Sequence, residues 1–163
     1  MLNDLNKKIL LIIGLGLLIW LAGIIVTPML AAAGMRKTAA FAYFFYKPVC
    51  HQITERSFLF NGFALAVCIR CFSFYLGGLF IVLYYIFRSK VRMWPILSYI
   101  LLIAPVAVDI ILEKLHLYSN FEDLRIVTGF LLGIALFQLL IVSVSSPKWK
   151  QEETNTQINF TKY

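Results

Sequence analysis

Apolar positions in this chain run in long blocks. They do not alternate every second residue, nor do they recur at the spacing of one helix face. Ile9 to Leu30 is an apolar run without a single charge, and at about 1.5 Å per residue it is long enough to cross a hydrocarbon core of about 30 Å. A second span lies within Gly62 to Phe87, a third runs from Trp94 to Leu112 and a fourth from Leu124 to Val144. The connection from Gly34 to Asn61 divides in two. Arg36 to Tyr46 has basic residues at its head and Phe and Tyr behind them, the composition of a helix that lies in the interface or extends the first span. Lys47 and Pro48 end it, and the polar residues that follow suit the mouth of a bundle better than lipid. These blocks predict an all-α fold, an integral membrane helical bundle of four transmembrane spans with an additional interfacial helix after the first. Residues 1–146 form one bundle domain (spans about 9–30, 62–87, 94–112 and 124–144), and 147–163 form a polar tail. The first apolar run exceeds the ~7–15 residues of a signal-peptide core, so it reads as a retained span.

Composition strengthens this reading. Of 163 residues, 61% are hydrophobic and only 14% charged, with a mean hydropathy of +0.83. That is more apolar surface than a soluble domain of this size hides in one core. The net charge of +7 does not point to nucleic acid, because the basic residues sit in small groups beside the spans, where Lys and Arg orient membrane proteins. Arg88, Lys90 and Arg92 make a basic turn, whereas the connection from Glu113 to Asp123 holds one Lys and three acids. Basic short loops belong inside, which places both termini in the cytoplasm and the protein in the cytoplasmic (inner) membrane. In either orientation Cys50, Cys68, Cys71, Asp109 and Arg125 converge on one membrane face.

The sharpest chemistry lies at Cys50 and His51, followed after sixteen residues by Cys68 and Cys71. Four soft or borderline ligands at this spacing suit one tetrahedral zinc ion. Cys68 and Cys71 share a helix face, and Arg56 and Arg70 favour thiolates. A complete Cys3His set makes a closed structural site. With one position open the zinc becomes catalytic, and Glu55 is the candidate general base. Asp109, inside an apolar run, is a second candidate catalytic carboxylate, with Arg70 or Arg125 as partner. Glu113 and His116 share its helix face, either as further ligands or as a helix end meeting water. Arg56, Arg70 and Arg125 either bind an anionic head group or reach to the interface on their own account. A different reading makes Cys68 and Cys71 a redox pair of the DsbB type, with a quinone lined by Phe72, Phe74 and Tyr75. Cys50 then has no cysteine partner for the relay. Plain packing of apolar cysteines is the third reading.

Cys50, His51 and Gln52, then Glu55 to Phe58, Cys68 with Arg70 and Cys71, Tyr75 to Gly77, Asp109, and Arg125 with Thr128 and Gly129 together resemble the bacterial membrane family DUF2085. Phe72 and Ser73 after Cys71, and Ile110 after Asp109, depart from its pattern. The resemblance implies a membrane location and little about activity. The residues together lead us to expect a zinc protein at the outer membrane face, acting as a hydrolase or transferase on an anionic lipid or other amphiphile. The alternatives are a thiol–quinone oxidoreductase and a structural or interaction protein stapled by zinc.

Overall fold

The computed structural model describes residues 4–88, 91, 93–115 and 122–145, and within these the side chains of residues 4–6, 55, 113, 114 and 145 are left out. Lys90, Arg92, His116 and the tail, all used in the sequence argument, lie outside the described residues, as do the side chains of Glu55 and Glu113.

Helix α1 (Asp4–Ala32) carries the uncharged apolar run. It ends where Gly34 takes φ +81 and the amides of Gly34 and Met35 donate back to Ala31 at 3.1 Å and Leu30 at 3.0 Å. This closing turn requires a left-handed residue, which glycine adopts without a Cβ penalty. The chain then reverses into α2 (Arg36–Tyr46), whose bounds match the sequence expectation. It does not extend α1; it folds back along it. The Tyr46 hydroxyl donates to the Trp20 carbonyl at 3.1 Å, their rings meet edge to face at 4.9 Å, and the space a Cβ would need at Gly23 is taken by that hydroxyl.

Helix α3 (Ile69–Arg88) begins later than the apolar block implied. The stretch before it is a two-stranded hairpin, β1 (Leu59–Phe60) and β2 (Phe63–Ala64), paired antiparallel with Phe60 opposite Phe63. Asn61 at φ 48 and Gly62 at φ 83 make the turn, the Asn-Gly pairing that two-residue hairpin loops favour. Cys68 therefore lies just outside the helix, and its carbonyl accepts from the Phe72 amide at 2.9 Å. The last two helices, α4 (Ile96–Lys114) and α5 (Glu122–Ser145), fall close to their expected bounds.

Three helices (α1, α3 and α5) are long and apolar enough to cross a membrane, and α4 is a shorter apolar helix over Ile96–Leu112. Its seventeen residues stand at the lower end of the ~17–25 that spanning takes. Helix α1 runs antiparallel to α3, with Gly14 beside Val82 and the rings of Trp20 and Tyr75 5.8 Å apart. Helix α5 runs parallel to α3: Gly129 faces the Arg70 carbonyl, Gly133 the Phe74 carbonyl, and Gly77 the Phe130 carbonyl. At each, a Cβ would collide with backbone, so these glycines let the two helices touch main chain to main chain, as small residues do in membrane helix pairs. Helix α4 packs on α5. By this arrangement α1 and α4 end, and α3 and α5 begin, at the same end of the bundle. Large exposed apolar side chains, Phe87 and Ile96 among them, lie on these apolar helices, as suits a bundle whose solvent is lipid.

Gly133→Leu should destabilise the protein by at least ~2 kcal/mol, since overpacking here must push backbone from backbone. Gly16→Leu, at a position with nothing within 4 Å, should be near neutral. Thermal melts of both variants in detergent check this pair.

Candidate metal centre

Three thiols meet at the end where α3 begins. Cys50, Cys68 and Cys71 place their sulfurs within 4.8 Å of one another, and none carries a disulfide. Each comes from a different local setting: Cys50 from the loop after α2, Cys68 from the residue before α3, Cys71 from its first turn. The long arm is the loop, and Gln52 holds it. This residue takes φ 52, and its side-chain amide donates to the Tyr43 carbonyl at 2.6 Å and the Ala66 carbonyl at 2.9 Å. One side chain thus ties α2 to the segment between β2 and Cys68. Buried Leu21, Ile24, Tyr46 and Val67 pack beneath it.

The Cys50 sulfur is already prepared for negative charge. Hydrogen bonds from the Cys68 and Cys71 thiols, and behind them from the Cys68 and Gln52 amides, outweigh burial and hold Cys50 well below the ordinary thiol range. The two amide contacts measure 3.2 and 3.4 Å. Three sulfurs around one tetrahedral zinc would stand about 3.8 Å apart for Zn–S bonds of about 2.3 Å. Separations of no more than 4.8 Å need only a small contraction to meet that. The donor set, three soft sulfurs, fits zinc. His51 is exposed and lines the same cavity, but its ring is not among the atoms within that radius.

The sulfurs open on a cavity of about 220 Å³, whose wall includes Arg56, Arg70 and Arg125 along with His51. Arg70 and Arg125 stand in the first turns of the parallel helices α3 and α5, brought together by the glycine contact. Asp109 is not among the described lining residues. It is buried at 2% exposure and accepts from the Arg70 guanidinium, while the Thr128 hydroxyl lies 3.3 Å from the same oxygen. Arg70, one of the two partners the sequence offered for Asp109, makes this contact. The carboxylate therefore sits behind the cavity wall and holds Arg70 in it. Gln52 and Thr128 were visible beforehand only as letters of a motif, and no role could be read for them without the contacts they make.

The family described as "Predicted membrane protein (DUF2085)" matches residues 50–139, a stretch that begins at Cys50 and contains every site residue named above. A protein of Methanocaldococcus jannaschii is 34% identical over 140 residues, covering 80% of this chain and 88% of its own. One of Methanothermobacter thermautotrophicus is 32% identical over 92 residues, covering 56% of this chain and 83% of its own. Both relatives are archaeal, so the bacterial character attached to the resemblance has no support from them. No solved structure matches the chain. With more than half of its length matched to one family and a relative covered almost end to end, the chain belongs to the DUF2085 family of membrane proteins.

Proposed function

We propose that this is a metal-binding membrane protein that holds one zinc ion through Cys50, Cys68 and Cys71, with His51 as the fourth ligand, at the outer face of the cytoplasmic membrane. The observation that carries the reading is the cluster of three sulfurs within 4.8 Å, assembled from a loop and a helix start by the Gln52 brace. His51 adjoins Cys50 in sequence and lines the same cavity, so a turn of the exposed loop brings its ring to the ion. The positive-inside pattern supports the orientation with both termini in the cytoplasm.

The activity we propose is that of a hydrolase or transferase on an anionic lipid or other amphiphile whose head group enters the arginine-walled cavity. Zinc held by the three cysteines, with His51 off the ion and the fourth position open, would polarise a phosphoryl or acyl oxygen. Arg56, Arg70 and Arg125 hold and orient the head group, and Asp109 keeps Arg70 aimed while Glu55, five residues beyond Cys50, moves the proton. If all four ligands stay on the ion, the same residues make a structural staple on which the arginines are displayed. A quinone-linked thiol oxidoreductase is the competing chemistry, since Cys68 and Cys71 are free and adjacent and Tyr75 stands one turn below Cys71.

Purified protein should contain about one zinc per chain, and Cys50→Ser, Cys68→Ser and Cys71→Ser should each release it and lower the melting temperature, because ligation and local folding are coupled. Protein without metal and with Cys68 and Cys71 oxidised to a disulfide would hand the site to redox chemistry. Asp109→Ala should cost roughly 3 kcal/mol, since it removes the buried carboxylate that meets Arg70 and Thr128, and thermal unfolding measures that directly. Glu55→Gln should leave metal and stability in place while changing the lipid composition of cells. Unchanged lipids in a metal-replete variant reject the enzyme reading and leave the staple.

A further inference from the structure

Polarity in α2 changes along the helix axis and not around it. Ala39, Tyr43 and Tyr46, at i, i+4 and i+7, turn inward: Ala39 and Tyr46 are buried, and the Tyr43 hydroxyl donates to the Ala64 carbonyl. Lys37, Phe41, Phe44 and Phe45 share the opposite face, and all four are exposed. A helix lying flat in the interface carries its charges along one side and its apolar residues along the other. Here the charge sits at the head, on Arg36 and Lys37, and three large rings follow further along the same face as Lys37.

The direction of α2 agrees. Its far end, Tyr46, meets Trp20 and Gly23 of α1, and its head follows the end of α1 directly. About ten residues of each helix separate those points, so the two run side by side and antiparallel. The uncharged run of α1, Ile9 to Leu30, covers about 33 Å, close to the thickness of one hydrocarbon core. Lys7 and Lys8 mark one boundary, and Arg36 and Lys37 stand just past the other.

Helix α3 stops short of that second boundary. Leu10 and Tyr85 share one apolar cluster, Gly14 lies against Val82, Trp20 against Tyr75, and Ile24 belongs to the cluster that holds Cys50 and Cys71. From Ile24, six residues of α1 remain to Leu30, about 9 Å of helix. The thiols therefore lie about that far inside the apolar layer, and α2 runs through the same depth. Irregular backbone is tolerated there where it lines a cavity, and the loop from Val49 to Ile53 lines one. Ile25, Val26 and Met29 of α1 are exposed on the same helical hairpin as the three phenylalanines, and so large an apolar surface needs an apolar partner. Residues 32–47 carry Arg36, Lys37 and Lys47 and no acid, a charge that suits phosphate head groups. Lys47, exposed just past the deep end of α2, has a four-carbon stem that lies along apolar surface while its ammonium reaches polar surroundings.

We infer that α2 is a re-entrant membrane helix whose partner is the lipid of the leaflet at the thiol end of the bundle. It enters that leaflet with Arg36 and Lys37 among the head groups, descends beside α1 with Phe41, Phe44 and Phe45 among the acyl chains, and seats the thiol cluster beneath the membrane surface. This placement goes beyond the proposed function and holds with or without zinc.

The test puts a nitroxide at Thr38, at Phe44 or at Leu18 of α1, carried on a keto amino acid so that the native cysteines stay untouched. The full chain is held in nanodiscs of phosphatidylcholine and phosphatidylglycerol. Power-saturation EPR compares collisions with oxygen, which dissolves in the acyl layer, and with a neutral nickel chelate, which stays in water. The Phe44 label should be open to oxygen and shielded from nickel, as the Leu18 label is, and should lie about 9 Å deeper than the Thr38 label, six residues nearer the head of α2. Melting profiles establish that each labelled protein is folded, and a Phe45 label repeats the measurement where the Phe44 label does not fold. Equal depths at Thr38 and Phe44 describe a flat interfacial helix and overturn the inference. Nickel access at Phe44 puts the hairpin in water and also overturns it. Shielding from both reagents, with dipolar broadening between labels, makes a second copy of this chain the partner and overturns the lipid assignment.

Discussion

Everything at the functional end depends on two helix backbones touching. Gly129 and Gly133 of α5 admit the Arg70 and Phe74 carbonyls of α3 into space a side chain would fill, and Gly77 returns the contact. Lipid supplies no hydrophobic drive for helices to associate, so close packing of this kind has to do it. Because the pair is parallel, the first turns of both helices lie together. That sets Arg70 and Arg125 on one cavity and points both helix dipoles at it.

The same contact makes the buried charges tolerable. A carboxylate buried to 2% exposure in an apolar helix costs free energy unless it is paired and hydrogen-bonded. Asp109 meets Arg70 from α3 and Thr128 from α5, so one carboxylate links three helices. A buried pair of this kind is weak evidence for stability, because desolvation takes back much of the Coulomb gain. Its effect is specificity: α4 packs chiefly on α5, and the ion pair fixes how it sits relative to α3.

The sulfur cluster brings the loop after α2 against the start of α3. Negative charge on the Cys50 sulfur is favoured there by the amide N–H groups of Cys68 and Gln52. Gln52 adopts a conformation unusual for a residue with a Cβ in order to reach two carbonyls at once. Backbone strain next to a reactive cluster is characteristic of places that the surrounding structure over-determines.

The sequence by itself determined the class of protein, the helices and the end of the bundle where chemistry gathers. Uninterrupted apolar length is a local property and survives any packing, so α1, α2 and α5 lie close to where the letters put them. The cysteine spacing likewise named the three sulfurs that meet. The hairpin at Leu59–Ala64 carried its own signal in Asn61-Gly62, obscured by an apolar block that reads equally well as helix. Tertiary structure alone decided that α2 folds back along α1, that Asp109 pairs with Arg70 behind the cavity, that His51 stands at the rim while three sulfurs converge, and that Gln52 braces the loop. Each of these is a contact between residues far apart in sequence. Periodicity and spacing report only which face or segment a residue occupies, and the identity of its partner is set when helices meet.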